Sequence, residues 1–203
     1  MKKSNFSKLT HIAWVMLMAL AIITTSCKKD DDEPTTPPVV VLDGVYVKGA
    51  GTGLTDFDSK GKMAITRNEV TQEDRASLME LYVAVKAGAE GFNIITVEGS
   101  VQKVWGPGSD WAQIAEADLD GDEPRDGLWR GTLAETATPF TVAEDGLYHV
   151  AFDSEAGIVV MAKVNWGIIG GATPGGWGEN TPFEAPAFDL NTMTYTIPSV
   201  TLT

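Results

Sequence analysis

Short runs of alternating apolar and polar residues fill the chain between Leu42 and Val164. Val45 to Lys48, Leu81 to Lys86, Phe92 to Val97, Tyr148 to Phe152 and Ile158 to Val164 each read as a strand. Successive side chains of a strand point to opposite faces, so a period of two marks one buried and one wetted face. Gly-rich or acidic turns separate the runs, as at Gly49-Ala50-Gly51, Gly88-Ala89-Glu90-Gly91 and Glu144-Asp145-Gly146. That punctuation specifies an all-β fold, an antiparallel β-sandwich of immunoglobulin-like type. One stretch departs from it. Asn68 to Leu81 has acids near its start and apolar Val70, Leu78, Met79 and Leu81, and reads as a short helix or helical turn before the Leu81 strand.

A second constraint comes from Asn165 to Phe183, NWGIIGGATPGGWGENTPF. An apolar run with Trp166, Ile168 and Ile169 enters a turn of Gly, Thr and Pro that delivers Trp177. Two readings stand: a core plug between two strands, or a rigid loop presenting an indole to a ligand. The stretch also echoes the start of the folded part. Gly44 to Thr52 and Trp166 to Thr173 both give an apolar strand with an aromatic, a Gly/Ala turn and then Thr, about 120 residues apart. A period that long suggests tandem domains rather than a solenoid. The expected organisation is a first sandwich module over 42–164 and the start of a second over 165–203. The second has too few residues to close a sandwich of roughly 100 residues. The sequence ends inside the alternating run Met193 to Leu202, so the second module reads as truncated and the chain as a C-terminally incomplete piece.

The first 27 residues read as an address. Lys2, Lys3 and Lys8 precede an apolar core, His11 to Ile23, that is short against the ~20 residues of a membrane span. Thr24-Thr25-Ser26 then leads into Cys27, the only cysteine. Small residues before it match a bacterial lipoprotein cleavage site, with Cys27 carrying the lipid; an ordinary secretory signal is the alternative. A disulfide framework is excluded. Residues 28–41, KKDDDEPTTPPVVV, are an acidic and Pro/Thr-rich tether. Subtracting the three signal lysines from 15 basic residues leaves 12 against 28 acids, a net charge of about −16. Nucleic acid and anionic headgroups are excluded as partners, because they need clustered Lys and Arg.

Chemistry has few places to sit. His149 is the one histidine after the signal, inside the strand run Gly146 to Phe152, and no G-x-S-x-G elbow occurs. Zinc of the usual kind is excluded, and no cofactor is expected. Asp118, Asp120 and Asp122 have the 1, 3, 5 spacing of a calcium loop, but an EF-hand would then need Gly and Glu where Glu123 and Trp129 stand. A looser Ca²⁺ site or a solvated acidic loop is left. The aromatics are more informative. Trp105 and Trp111 flank a Gly-Pro-Gly turn, Trp129 follows the acidic loop, and Trp177 sits on the Gly-rich loop. Sugar C–H faces stack on indole rings, and sugar hydroxyls bond to neighbours such as Lys103. The rival for Trp129 is a core position.

Together the lipobox, the Cys27-Lys28-Lys29-Asp30-Asp31-Asp32-Glu33 block, the tether and the join from Val164 to Trp177 resemble the SusE/SusF-type outer-membrane lipoproteins of Bacteroidetes. The acidic block is similar to the surface-export signal of such lipoproteins; a plain solvated linker is the alternative. The resemblance implies a non-catalytic, lipid-anchored protein on the outer membrane's exterior. It would hold starch or another polysaccharide beside a TonB-dependent transporter complex. It further implies paired aromatics with a Lys or Arg, here Trp105 and Trp111 with Lys103. Gly171 stands where some relatives carry Asp in the turn. The competing readings are a surface glycoside hydrolase accessory with two converging carboxylates, and a structural spacer or adhesin domain.

Overall fold

Eleven strands carry the described structure: β1 Gly44–Lys48, β2 Ala64–Arg67, β3 Asp74–Val85, β4 Asn93–Glu98, β5 Val101–Pro107, β6 Ala112–Gln113, β7 Leu128–Glu135, β8 Gly146–Asp153, β9 Ile158–Lys163, β10 Gly167–Ile168 and β11 Thr181–Pro182. The computed structural model describes residues 41–68, 71–114, 128–197 and 199–201. The expectations for the signal, Cys27, the tether up to residue 40 and Asp118, Asp120 and Asp122 fall outside those residues. Among the described residues every regular element is a strand, so the fold is all-β.

All strand pairs are antiparallel, in the order β1-β4-β5-β7-β9-β8-β3-β2, with β6 beside β7. The sheet curls until its two ends meet. Val47 N–H donates to the Gly61 carbonyl and Met63 N–H to the Val45 carbonyl, each at 2.8 Å, so the residues leading into β2 pair with β1. The sharpest change lies at β7. Its C-terminal end pairs with only three residues of β5, Trp105 to Pro107, while its start pairs with β6. Inward faces then meet across one core, as in a β-sandwich: Val47 and Ile94 on one side, Val83, Val85, Val150, Phe152, Val159 and Met161 on the other. Burying such side chains supplies the folding drive, roughly 1.5–3 kcal/mol each. A smaller cluster of Tyr46, Ile95 and Val97 covers the outer face of β1 and β4, with Phe57 edge-on to Tyr46 at 5.2 Å.

The helical reading of Asn68 to Leu81 is overturned. Asp74 to Leu81 belongs to β3, and Asn68 N–H donates to the Glu73 carbonyl to close the hairpin from β2. The apolar residues follow a period of two. Met79, Leu81, Val83 and Val85 join the core, while Glu80 and Tyr82 alternate with them on the outer face. Arg75, which suits a helix, is fixed by Asp153 at 2.7 Å and Glu155 at 3.3 Å.

The C-terminal segment forms a two-residue ladder between β10 and β11, and a bridge from Glu184 to Thr196. The Tyr195 hydroxyl donates to the Val164 carbonyl at 3.1 Å. Residues from Val41 to Thr203 cluster as one unit.

Candidate functional site

The hydrophobic rows of the sandwich stop short at one end. On β1, β4 and β5 the register aligns Val45 with Thr96 and Thr96 with Lys103 across one face. Val45 packs against the core, so this face looks inward and carries Thr96 and Lys103 with it. Lys103 is nonetheless exposed, so its ammonium stays in water while its stem covers apolar surface. It lines a cavity of about 540 Å³ together with Val45, Met79, Thr96, Trp105 and Phe152, among others. That volume lies within the ~300–1,000 Å³ of small-ligand sites.

Trp105 forms one wall. Its indole N–H donates to Thr96 Oγ1 at 3.0 Å, and Lys103 Nζ stands 5.9 Å from its ring centroid. Asn93 pins the strand by donating to the Trp105 and Thr138 carbonyls at 3.2 and 2.9 Å. The rim is fixed in turn. The Asp43 carboxylate accepts from Gly99 N–H at 2.7 Å, tying the β4–β5 turn to the head of β1. Glu98, Val101 and Ser154 complete the mouth.

Trp111 lies apart from this cavity. The expected turn begins later than Gly106: Gly106 and Pro107 are strand residues of β5, and the chain turns over Gly108 to Trp111. Trp111 stacks on Trp129, centroids 6.1 Å apart, and meets the buried Phe140 edge-on at 4.8 Å. Both indoles are half-buried against the core. Gly131 makes this possible, because a Cβ there would lie 2.6 Å from the Trp111 Cα. The turn is held by Asp110, whose carboxylate accepts from the Thr132 hydroxyl and N–H. Those bonds, the hydroxyl's first, hold its carboxyl below the usual range.

Trp177 is the most exposed large apolar residue described, at 78 %. Its loop is closed by backbone bonds from Gly170 N–H to Gly176 O at 3.0 Å and from Thr173 N–H to Gly170 O at 2.9 Å. The Thr173 hydroxyl donates to Gly170 O at 2.8 Å. Gly171 lies beside the N–H edge of the indole, where a Cβ would come within 3.2 Å of the indole nitrogen.

The outer face of β3 and β8 holds a cluster that the sequence reading missed. Tyr82 stacks on His149 with centroids 4.4 Å apart, and Trp166 leans on Tyr82 at 5.8 Å. His149 Nε2 is 2.7 Å from Glu80 Oε2. Burial, and secondarily the Glu80 charge, raises the Tyr82 hydroxyl's pKa. The available signal was alternation: Glu80, Tyr82 and His149 all occupy outward positions of their strands.

Among the described residues, no group of three or more His, Cys, Asp and Glu side chains is arranged to hold a metal ion. Among them, too, no helix is long and apolar enough to cross a membrane. No family model matches the chain, and neither does a curated protein or a solved structure.

Proposed function

We propose that this chain is a surface lipoprotein that binds a polysaccharide, starch or a related glycan, without chemistry. Cys27 would anchor it to the outer membrane facing the exterior, and the held glycan would pass to a TonB-dependent transporter complex. Trp177 carries the binding reading: a largely exposed indole, its N–H edge beside Gly171, on a loop whose turns are closed by hydrogen bonds. A loop braced before binding loses little entropy when a sugar face stacks on the indole it carries. The acidic surface is indifferent to an uncharged polymer. Tandem modules would raise apparent affinity by linking weak sites.

A spacer or adhesin reading is favoured by one observation. Trp111 and Trp129, two of the four candidate indoles, pack with Phe140 against the core. Affinity gel electrophoresis of the chain against starch, pullulan, inulin, xylan and mannan separates the two. Retardation by one polysaccharide, lost in Trp177→Ala and retained in Lys103→Ala, supports the binding reading. Equal mobility in every gel supports the spacer. Release of new reducing ends during incubation would instead establish a hydrolase. Replacement of Cys27 by Ala, with loss of the protein from the membrane fraction, tests the anchor.

A further inference from the structure

β5 is covered unequally on its two sides. On one side β4 pairs with it over Val101 to Trp105. On the other, β7 pairs only with Trp105 to Pro107, and one further bond runs from Thr136 N–H to the Val104 carbonyl at 3.1 Å. Among the described residues, the first half of β5 therefore keeps an open edge. In an antiparallel strand the N–H and C=O of one residue point to the same side, and alternate residues share that side. The Val104 carbonyl points away from β4, so Gln102 turns its N–H and C=O the same way, where no strand lies beside it. Val101, Gln102 and Lys103 are all exposed.

An open edge is a template for another strand. The β4–β5 register runs without a bulge, and no proline interrupts Val101 to Val104. The cavity beside the edge supplies an apolar floor, with Met79, Leu133 and Phe152 in its lining. Val101 and Lys103 line it too, from one face of β5. A strand added here sets two side chains opposite them, two residues apart. Opposite exposed Val101 an apolar residue is favoured. Opposite Lys103 a carboxylate is favoured, because among the described residues its ammonium joins no ion pair. Asp43 and Glu98 stand at the same mouth. Asp43 is held by Gly99 N–H, and Glu98 belongs to β4, one strand further from the edge. Lys103 is thus the charge that the added strand meets first. A second copy of this chain suits the edge poorly. Its formal charge is −13, and its own β5 edge offers Lys103 no carboxylate.

We propose that the open edge of β5 binds an extended segment of a partner protein by strand addition, a segment with an apolar residue and a carboxylate two positions apart. The inference stands apart from the glycan reading and uses no residue of the Trp177 loop.

Amide NMR of the labelled chain, titrated with the peptide acetyl-TVTETVT-amide, tests it. In this peptide the valines and the glutamate share one face in either strand direction. A second peptide has lysine in place of glutamate, and a third carries N-methyl groups on the two threonines flanking the glutamate. The Gln102 N–H resonance should shift and gain protection from exchange. The glutamate peptide should bind about threefold more tightly than the lysine peptide, and Lys103→Glu should reverse that order. The N-methylated peptide should not bind. Gln102→Pro removes the N–H on the open side and spares the bonds to β4, so it should keep the fold and lose the peptide. Its retardation by polysaccharide should equal wild type, since Trp177 is untouched. No shift at Gln102 with millimolar peptide would overturn the inference. Equal binding of the N-methylated peptide would reduce it to an apolar contact and overturn strand addition. Equal affinity for the glutamate and lysine peptides would overturn the stated chemistry of the partner. A dimer in sedimentation that Gln102→Pro dissociates would give the edge to a second copy and overturn the partner.

Discussion

Thr52 and Thr173 make the same bond in two places. Each hydroxyl donates to the carbonyl oxygen three residues back, Gly49 and Gly170, at 2.8 Å. Each backbone N–H points to that same oxygen, at 3.1 and 2.9 Å. Among the described residues they are also the two buried polar ones. The repeat visible between Gly44 to Thr52 and Trp166 to Thr173 is therefore one turn built twice, with threonine as its internal brace.

The two braces should fail differently. Thr52→Val removes the hydroxyl beside the core and should lower unfolding free energy by about 1 kcal/mol, the usual worth of one such bond. Urea titration reads it as a lower midpoint at constant slope. Thr173 braces a segment whose ladder is two residue pairs long. Thr173→Val should leave the global midpoint in place and loosen the loop locally. Broadening of the Trp177 indole N–H resonance would report it.

Gly91, whose carbonyl accepts from Gly51 N–H at 2.8 Å, packs against the first turn and is hard to replace. Its φ is +43°, and a Cβ there would stand 1.9 Å from the Phe140 carbonyl oxygen. That oxygen accepts from Phe92 N–H at 3.0 Å, so it cannot move without breaking the bridge that seats Phe92 on Phe140. Gly91→Ala combines backbone strain with collision and should cost about 4 kcal/mol or more. Thermal unfolding by circular dichroism checks it. Gly88→Ala is the control: its φ is +123°, but nothing lies within 4 Å of the added carbon, so only strain is felt.

Two tryptophans that looked alike in sequence should separate by stability. Trp111→Ala empties the contact with Trp129 and Phe140 and should cost about 3 kcal/mol. Trp177→Ala removes a side chain 78 % exposed and should change stability by less than about 0.5 kcal/mol. Urea unfolding of both variants decides whether the indoles divide into packing and presenting roles.

The strands with clean alternation were legible, and the reason is local. In β8 the burial pattern repeats with period two over all eight residues, and the sequence Gly146 to Asp153 shows it directly. β5 was not legible. Lys103 faces a cavity instead of a packed core, and Gly106 and Pro107 look like a turn, so neither period nor composition marks a strand. β3 was half legible: Leu81 onward alternates clearly, but acids and Arg75 disguised its first half, where partners on Ser154-side residues stabilise it from far along the chain. The aromatic set was identified without its grouping. Trp105 and Trp111 are six positions apart, yet one lines a cavity and the other stacks on Trp129. The Glu80–His149 contact spans 69 residues, a separation that only the β3–β8 register closes.

Tyr148 gives the fold a pH signature at its alkaline limit. It enters β8 with its ring in the core, and its hydroxyl donates to the Glu144 carbonyl at 2.9 Å, four residues back, as in the tyrosine corner of sandwich folds. Burial first, and then the charges of Glu144 and Asp145, push its pKa up to about 12 from an ordinary 10. Lys163 faces the same corner and pairs with Glu144. A group whose pKa is higher folded than unfolded favours the folded state while it keeps its proton. The contribution is whole below pH 10 and is lost as pH rises from about 10 through about 12. Tyr148→Phe cannot titrate. At pH 7 it should be less stable than wild type by about 1 kcal/mol, the bond to Glu144 being gone. Between pH 10 and about 12 the wild type should lose stability faster than the variant, so that the gap narrows. Urea midpoints of the two proteins across that range measure the difference directly and cancel the other tyrosines and lysines. A constant gap would mean that the Tyr148 proton is no harder to remove folded than unfolded.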